Sequence, residues 1–387
     1  MMTTLFWISL GTLVYIYGGY PLLVWLLAKI FGREPIRRAG IPPVSLLIPA
    51  YNEEAHIEAK LRNSLALDYP KDRLEIVVAS DGSTDRTNAI VERFRSRGVR
   101  PSTKDFGGGV KLLAMRDNIG KSAMLTRTVP LLRGEIVVFS DVTSELEPDA
   151  LRSLVRNFAD SRVGCVCGLY RLKGAKDLRG EGEGLYWTYE TFIKRQESRL
   201  HSILGAHGAF YAIRKVLFQG LEGTAINDDY LIPMRIVARG ARAVYEPSAV
   251  AWEREVASVG GEFARRRRIA AGNCQQIVEL MSLLNPFRGW IALCFVSHKV
   301  LRTLAPLFMA AVLLSSLWLP APWSWLMLAL QAVFYATALA GYVCQRRGRM
   351  VHWLSPVLYF CLGNLAMLAG LLKYCFSKQP PAWERAR

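Results

Sequence analysis

Charge and apolarity alternate along this chain in long blocks, and the blocks predict its elements. Residues 1–28 carry no charged side chain, and Lys29, Arg33, Arg37 and Arg38 follow at once. Thr303 to Gln345 is again free of Asp, Glu, Lys and Arg, with Pro320-Ala-Pro322 dividing it. Met350–Leu372 is broken only by His352. Runs of this kind suit a bilayer, which takes ~20 apolar residues per helix. The first run reads as a spanning helix and not as a signal peptide, because its charges follow it and no small-residue cleavage site ends it. Basic residues also precede the second span (Arg288, Lys299, Arg302) and separate the third from the fourth (Arg346, Arg347, Arg349). The excess of Lys and Arg on one side places residues 33–300 in the cytosol and both termini outside.

Between these blocks the period changes. Val44–Ile48, Leu74–Ala79 and Ile136–Phe139 are short apolar, β-branched runs that predict buried strands. Ala55–Leu67 has Ile57, Leu61 and Leu65 on one helical face, and Thr84–Phe94 and Pro148–Phe158 predict further helices, the second capped by Ser83 or Thr84. Strands alternating with helices define an α/β domain with a mostly parallel sheet. Gly184–Ser202 predicts a helix carrying Tyr186, Trp187, Tyr189, Glu190 and Phe192, whose rings suit core packing or a sugar-stacking wall. Gly289–Arg302 is amphipathic and predicts an interfacial helix. Arg100–Gly109 reads as a Pro/Gly-rich loop, and its Gly107-Gly-Gly109 lacks the Lys-Ser/Thr of a phosphate loop. The expected organisation is a spanning helix (1–31), a cytosolic catalytic domain (40–275), interfacial helices (276–302), three spans (303–376) and a short tail (377–387).

Composition narrows the partners. Among 387 residues, 49 basic against 32 acidic side chains give +17, which suits phosphates and membrane lipid head groups. No nucleic-acid recognition module is legible, so nucleic acid is set aside. The seven cysteines include Cys165-Val-Cys167 but no spaced partner pair, so they read as reduced, packed thiols.

Polar groups follow the predicted strands in order: Pro49-Ala-Tyr51-Asn52-Glu53-Glu54, then Asp81, then Lys121 after Asn118-Ile-Gly120, then Asp141. Ligands of open α/β sheets bind at such strand ends, where carboxylates hold ribose or base groups and Lys meets phosphate. Asp81-Gly-Ser-Thr is equally a good turn. Asn227-Asp228-Asp229 is both a helix cap with acids at a helix N-terminus and a pair of carboxylates for proton transfer.

As an ordered set, Ile48-Pro-Ala-Tyr-Asn-Glu-Glu54, Asp81-Gly-Ser-Thr-Asp85, Asn118-Ile-Gly-Lys121-Ser-Ala, Phe139-Ser-Asp141, Gly208-Ala-Phe-Tyr-Ala-Ile-Arg214, Asn227-Asp-Asp229 and Arg265-Arg-Arg-Arg268 resemble the inverting family 2 glycosyltransferases. The likeness covers about residues 44–300. It is greatest to the membrane-embedded synthases of hyaluronan, cellulose and poly-N-acetylglucosamine. The resemblance implies a GT-A type domain, a UDP-sugar donor and a carbohydrate or lipid-linked acceptor. Pro49, Tyr51, Glu53 and Asp81 would hold uracil and ribose, with Lys121 near the nucleotide. Asp141 takes the first place of an Asp-x-Asp motif for Mg²⁺ or Mn²⁺. Asp229 takes the place of the general base and Asp228 that of the usual Glu. Arg265 and Arg268 would meet the diphosphate, and Trp187 the acceptor. Two departures stand out. The metal motif reads Asp141-Val-Thr143, so that another ligand such as His207 would have to serve, although His207 also suits an ordinary loop. Ile269 replaces the Trp that ends the synthases' arginine motif, which removes a stacking surface and leaves single sugar addition open beside polymerisation. A catalytically inactive membrane scaffold is the rival from another class. The resemblance also implies a bacterial cell membrane and leaves any export partner unnamed.

Overall fold

The computed structural model describes residues 1–95, 109–173, 180–222, 225–254, 259–347 and 351–376. The expected 100–108 loop, Arg349 and the 377–387 tail lie outside these residues.

Eight strands form one sheet: β1 (Val44–Ala50), β2 (Leu74–Ser80), β3 (Val110–Ala114), β4 (Ile136–Phe139), β5 (Ser144–Leu146), β6 (Val163–Lys173), β7 (Tyr211–Arg214) and β8 (Arg242–Arg254). Their order is β3-β2-β1-β4-β7-β6-β8-β5. β3, β2, β1 and β4 are parallel, β7 runs against both β4 and β6, β8 is parallel to β6, and β5 is antiparallel to β8. Val44 pairs with Leu74 on one side and with Ile136 on the other. The chain thus leaves β1 in one direction and returns on its opposite flank, which makes the ends of β1 and β4 a switch point where ligands bind.

Alternation along the strands builds two apolar layers. Leu47, Val77, Val137 and Phe139 face the Lys121–Thr128, Gly180–Leu200 and Asp228–Ala238 helices, whereas Leu46, Ile48, Val78 and Val138 face the Ile57–Leu65, Thr87–Phe94 and Ala150–Val155 helices. Tyr20, Val24 and Ala28 of the first helix and Ile291, Cys294 and Phe295 of a later one belong to the first layer. Those apolar helices are therefore packed into the core of the α/β domain. Met2–Phe31, Trp290–Trp318, Trp323–Arg346 and His352–Phe376 are long and apolar enough to cross a membrane.

Some boundaries differ from the sequence reading. The helices begin at Ile57 and Thr87, not at Ala55 and Thr84, because the residues before them tie two loops together. Asn52 Oδ1 accepts from Thr84 N at 2.8 Å, and Asp85 Oδ2 accepts from Glu54 N at 3.0 Å. Asp85 Oδ1, and not Ser83 or Thr84, accepts from the Thr87 N–H. Gly289–Arg302 is no separate interfacial helix: Trp290 starts a helix that continues to Trp318. Its polar residues need no water, since His298 Nδ1 lies 2.7 Å from Glu197 Oε1, Lys299 donates to Asn273 Oδ1 at 2.7 Å and Arg302 pairs with Glu190.

Candidate active site

Lys121 opens a helix directly after Gly120, whose φ of 88° is open chiefly to glycine. Asp81, fully buried at the end of β2, fixes that turn by accepting the Ile119 and Gly120 N–H groups, each at 2.9 Å. The Lys121 ammonium stands 3.3 Å from Asp141 Oδ1 and 3.3 Å from Asp228 Oδ2. Asp141 follows β4, and the loop carrying it rests on Lys60, a buried amine donating to Ser140 Oγ and Ser144 O at 2.6 Å each. Burial pulls the Lys60 amine down to about 7.

Asp228 and Asp229 open the Asp228–Ala238 helix. Asn227 stands at the N-cap position without a side-chain cap; its amide donates to Ile269 O at 3.1 Å and ties the start of this helix to the Val259–Glu279 helix. The Gly208 N–H donates to Asp229 Oδ2 at 3.0 Å. Burial, then the Asp228 charge, raise the Asp229 carboxyl to about 6. Burial alone would also raise Asp141, but Lys121 holds it below the ordinary range. Burial opposes the Lys121 charge, yet Asp141, Asp228 and Asp229 hold that ammonium well above its usual value. One permanent cation is thus shared by three carboxylates, one of which is poised to take up a proton near neutrality.

These groups form part of the wall of a cavity of about 1130 Å³. Pro49, Glu53, Lys121, Asp141, Asp228 and Asp229 line it, as do Trp187, His207, Arg265 and Arg268. Tyr51 and Asp81 do not line it, and Asp81 acts through the Lys121 turn. The His207 ring stacks on Tyr170 at 4.1 Å and meets the edge of Trp187 at 4.9 Å; burial first, then Lys194, push its pKa down to about 3. It is a neutral imidazole. Arg266 lies over the rings of Tyr186 and Tyr359, so it joins three helices.

The sequence reading missed Tyr170 and Glu253. Thr143 Oγ1 donates to Glu253 Oε1 at 2.8 Å, which brings a β8 carboxylate to the gap in the Asp-x-Asp motif. No sequence spacing links positions 143 and 253; the β5–β8 pairing does, with Ser144 opposite Glu253. Among the described residues no three His, Cys, Asp or Glu side chains converge as a metal cage. A smaller cradle exists: a Cβ on Gly208 would lie 3.2 Å from Asp141 Oδ2 and 3.3 Å from Asp229 Oδ2.

The fold and site define a GT-A type nucleotide-sugar transferase domain joined to apolar helices. The profile described as Glycosyl transferase family group 2 matches residues 136–368, more than half of the chain, and that of Glycosyl transferase family 2 matches residues 45–221. This chain belongs to the family 2 glycosyltransferases. It is 29% identical over 248 residues to the probable glycosyltransferase YdaM of Bacillus subtilis (strain 168), covering 62% of this chain and 58% of that protein. It is 27% identical over 234 residues to the poly-beta-1,6-N-acetyl-D-glucosamine synthase of Staphylococcus aureus (strain COL), covering 59% and 54%. The match therefore spans little more than half the length of either relative. The solved mannosyltransferase PcManGT from Pyrobaculum calidifontis superposes over 97% of this chain and 100% of its own, with a TM-score of 0.73 and 23% identity, which shows the shared fold.

Proposed function

We propose that this protein is a membrane-bound inverting glycosyltransferase that moves a sugar from a UDP-sugar to a hydroxyl of a carbohydrate acceptor, with its catalytic domain in the cytosol. The observation that carries this reading is the Lys121–Asp141–Asp228–Asp229 cluster at the switch point, with its acid near 6. An acceptor oxygen attacks the anomeric carbon as its proton passes to Asp229. The bond from that carbon to the diphosphate breaks, its electron pair leaves with UDP, and configuration inverts. Asp228 holds Lys121 in place, and Lys121 meets phosphate charge. Pro49 and Glu53 bound the nucleotide end, and Asp81 fixes the turn that carries Lys121. Arg265 and Arg268 provide bidentate donors for phosphate oxygens.

Mg²⁺ or Mn²⁺ fits the donor set in part. Asp141 offers a hard oxygen beside the Gly208 cradle, His207 a neutral nitrogen and Glu253 a nearby carboxylate, and such ions complete their shell with substrate phosphates. When bound, the ion would neutralise charge on the departing diphosphate. Trp187, which lines the cavity and packs 4.8 Å from Tyr170, offers a ring for the acceptor sugar. Ile269 in the Trp position supports a second reading, addition of a single sugar to a lipid-linked acceptor, and product length separates the two. The intact cluster opposes an inactive scaffold.

The test is UDP release by the purified protein across a panel of UDP-sugars with Mg²⁺ or Mn²⁺. Asp229→Asn should cut release by about 10²–10⁴-fold while leaving UDP affinity unchanged. Equal rates in the two proteins would remove Asp229 as the base.

A further inference from the structure

The cavity does not end at the carboxylates. It continues past Lys299 and Thr303 of the Trp290–Trp318 helix to Asn364 and Met367 of the last apolar helix. Polar groups wait there without partners. Gln276, fully buried on the cavity wall, has neither its amide oxygen nor its nitrogen bonded among the described residues. The hydroxyl of Tyr230, next in sequence to the base, is likewise buried and unbonded. Polar groups left so are costly unless a polar guest meets them.

Lys299 stands among them. Its ammonium donates to Asn273 Oδ1 at 2.7 Å and lies 3.7 Å from the centroid of the Tyr230 ring. Both partners are neutral, and among the described residues Lys299 makes no ion pair. Its neighbour Arg302, in contrast, is neutralised by Glu190. Asn273 and Gln276 are one helical turn apart and so share a face. Phe295–Val300 is a π-helical turn, a wide turn that recurs where a helix serves a site.

We propose that Lys299, Asn273 and Gln276 form a subsite for a negatively charged group, a carboxylate or a phosphate, carried by the acceptor. The proposal rests on the glycosyltransferase reading only in calling the guest an acceptor. Lys299 supplies a donor ammonium that makes no direct ion pair among the described residues. Asn273 orients the ammonium, and Gln276 offers a donor and an acceptor to the same guest. Because Lys299 and Asp229 line the same cavity, the anion would bind in the space that also holds the acceptor hydroxyl. Two sources share this chemistry: an acidic sugar unit, and the phosphate of a lipid carrier.

The test is calorimetric binding to the full-length protein in detergent with UDP present, using two matched pairs of probes: cellobiouronic acid with cellobiose, and farnesyl phosphate with farnesol. The anionic member of one pair should bind at least about tenfold more tightly than its neutral partner, and the pair that shows this names the source. Lys299→Gln should abolish the preference and leave UDP binding unchanged. Gln276→Glu, which places a carboxylate in the subsite, should abolish it too. No preference in either pair, or a preference that survives Lys299→Gln, overturns the proposal. Binding needs no turnover, so failure of the catalytic reading would appear separately, as absent UDP release.

Discussion

At Asp229, burial and the Asp228 charge pull against the Lys121 ammonium, and the result is a carboxyl near 6. A base works only when ionised. The kcat/KM of UDP release should therefore be level above about pH 6 and fall as pH drops below it, since this ratio reports the free enzyme. A profile flat down to pH 5 would remove that assignment. Lys121→Met would leave Asp141 and Asp228 facing each other without their shared cation. UDP affinity measured by titration should then fall at least about tenfold. The charged positions Asp141, Lys121, Asp228 and Asp229, which the fold brings to one cavity, were visible in the sequence as short ordered motifs. Glu253 and Gln276 were not. Each looks ordinary until β8 and the Val259–Glu279 helix carry it to the cavity.

At the scale of elements, the periods that predict β1, β2 and β4 are short apolar runs with clear breaks. β6 to β8 were missed: Val163–Lys173 and Arg242–Arg254 mix apolar, charged and glycine or proline positions, and their edges depend on antiparallel partners far along the chain. The Trp290–Trp318 helix shows the reverse error. Its polar first turns suggested an interface, but Glu190, Glu197 and Asn273 satisfy them within the protein. Contact between the Val259–Glu279 helix and the last apolar helix depends on Gly370, where a Cβ would lie 2.4 Å from Ala270 Cβ and 2.7 Å from Arg267 O. Gly370→Leu should overpack that crossing, a change that costs about 1–3 kcal/mol, and lower the melting temperature in detergent. Gly18→Leu, where nothing lies within 4 Å, is the control and should leave it unchanged.

At the scale of the molecule, one cavity joins the sheet to the apolar helices, so the transferase domain and those helices form one structural unit. Tyr20 of the first helix donates to the buried Glu197 at 2.6 Å, and Tyr17 donates to Asn364 of the last helix at 3.1 Å. On the proposed topology Glu34 lies inside and Trp318 outside. In intact cells lacking the exposed Cys375 (Cys375→Ser), a membrane-impermeant maleimide should label Trp318→Cys at once, and Glu34→Cys only after permeabilisation. The opposite pattern would invert the topology.

By itself the sequence determined the apolar spans, the first βαβ units and the ordered acidic and basic motifs, because each depends on residues close together along the chain. Only the tertiary structure decided how those motifs meet. Strand pairing brings Glu253 to Thr143, helix packing brings Lys299 to Tyr230, and burial raises the Asp229 carboxyl. Distance through space, exclusion of water and the sharing of one cation belong to the folded chain, and no spacing along the sequence encodes them.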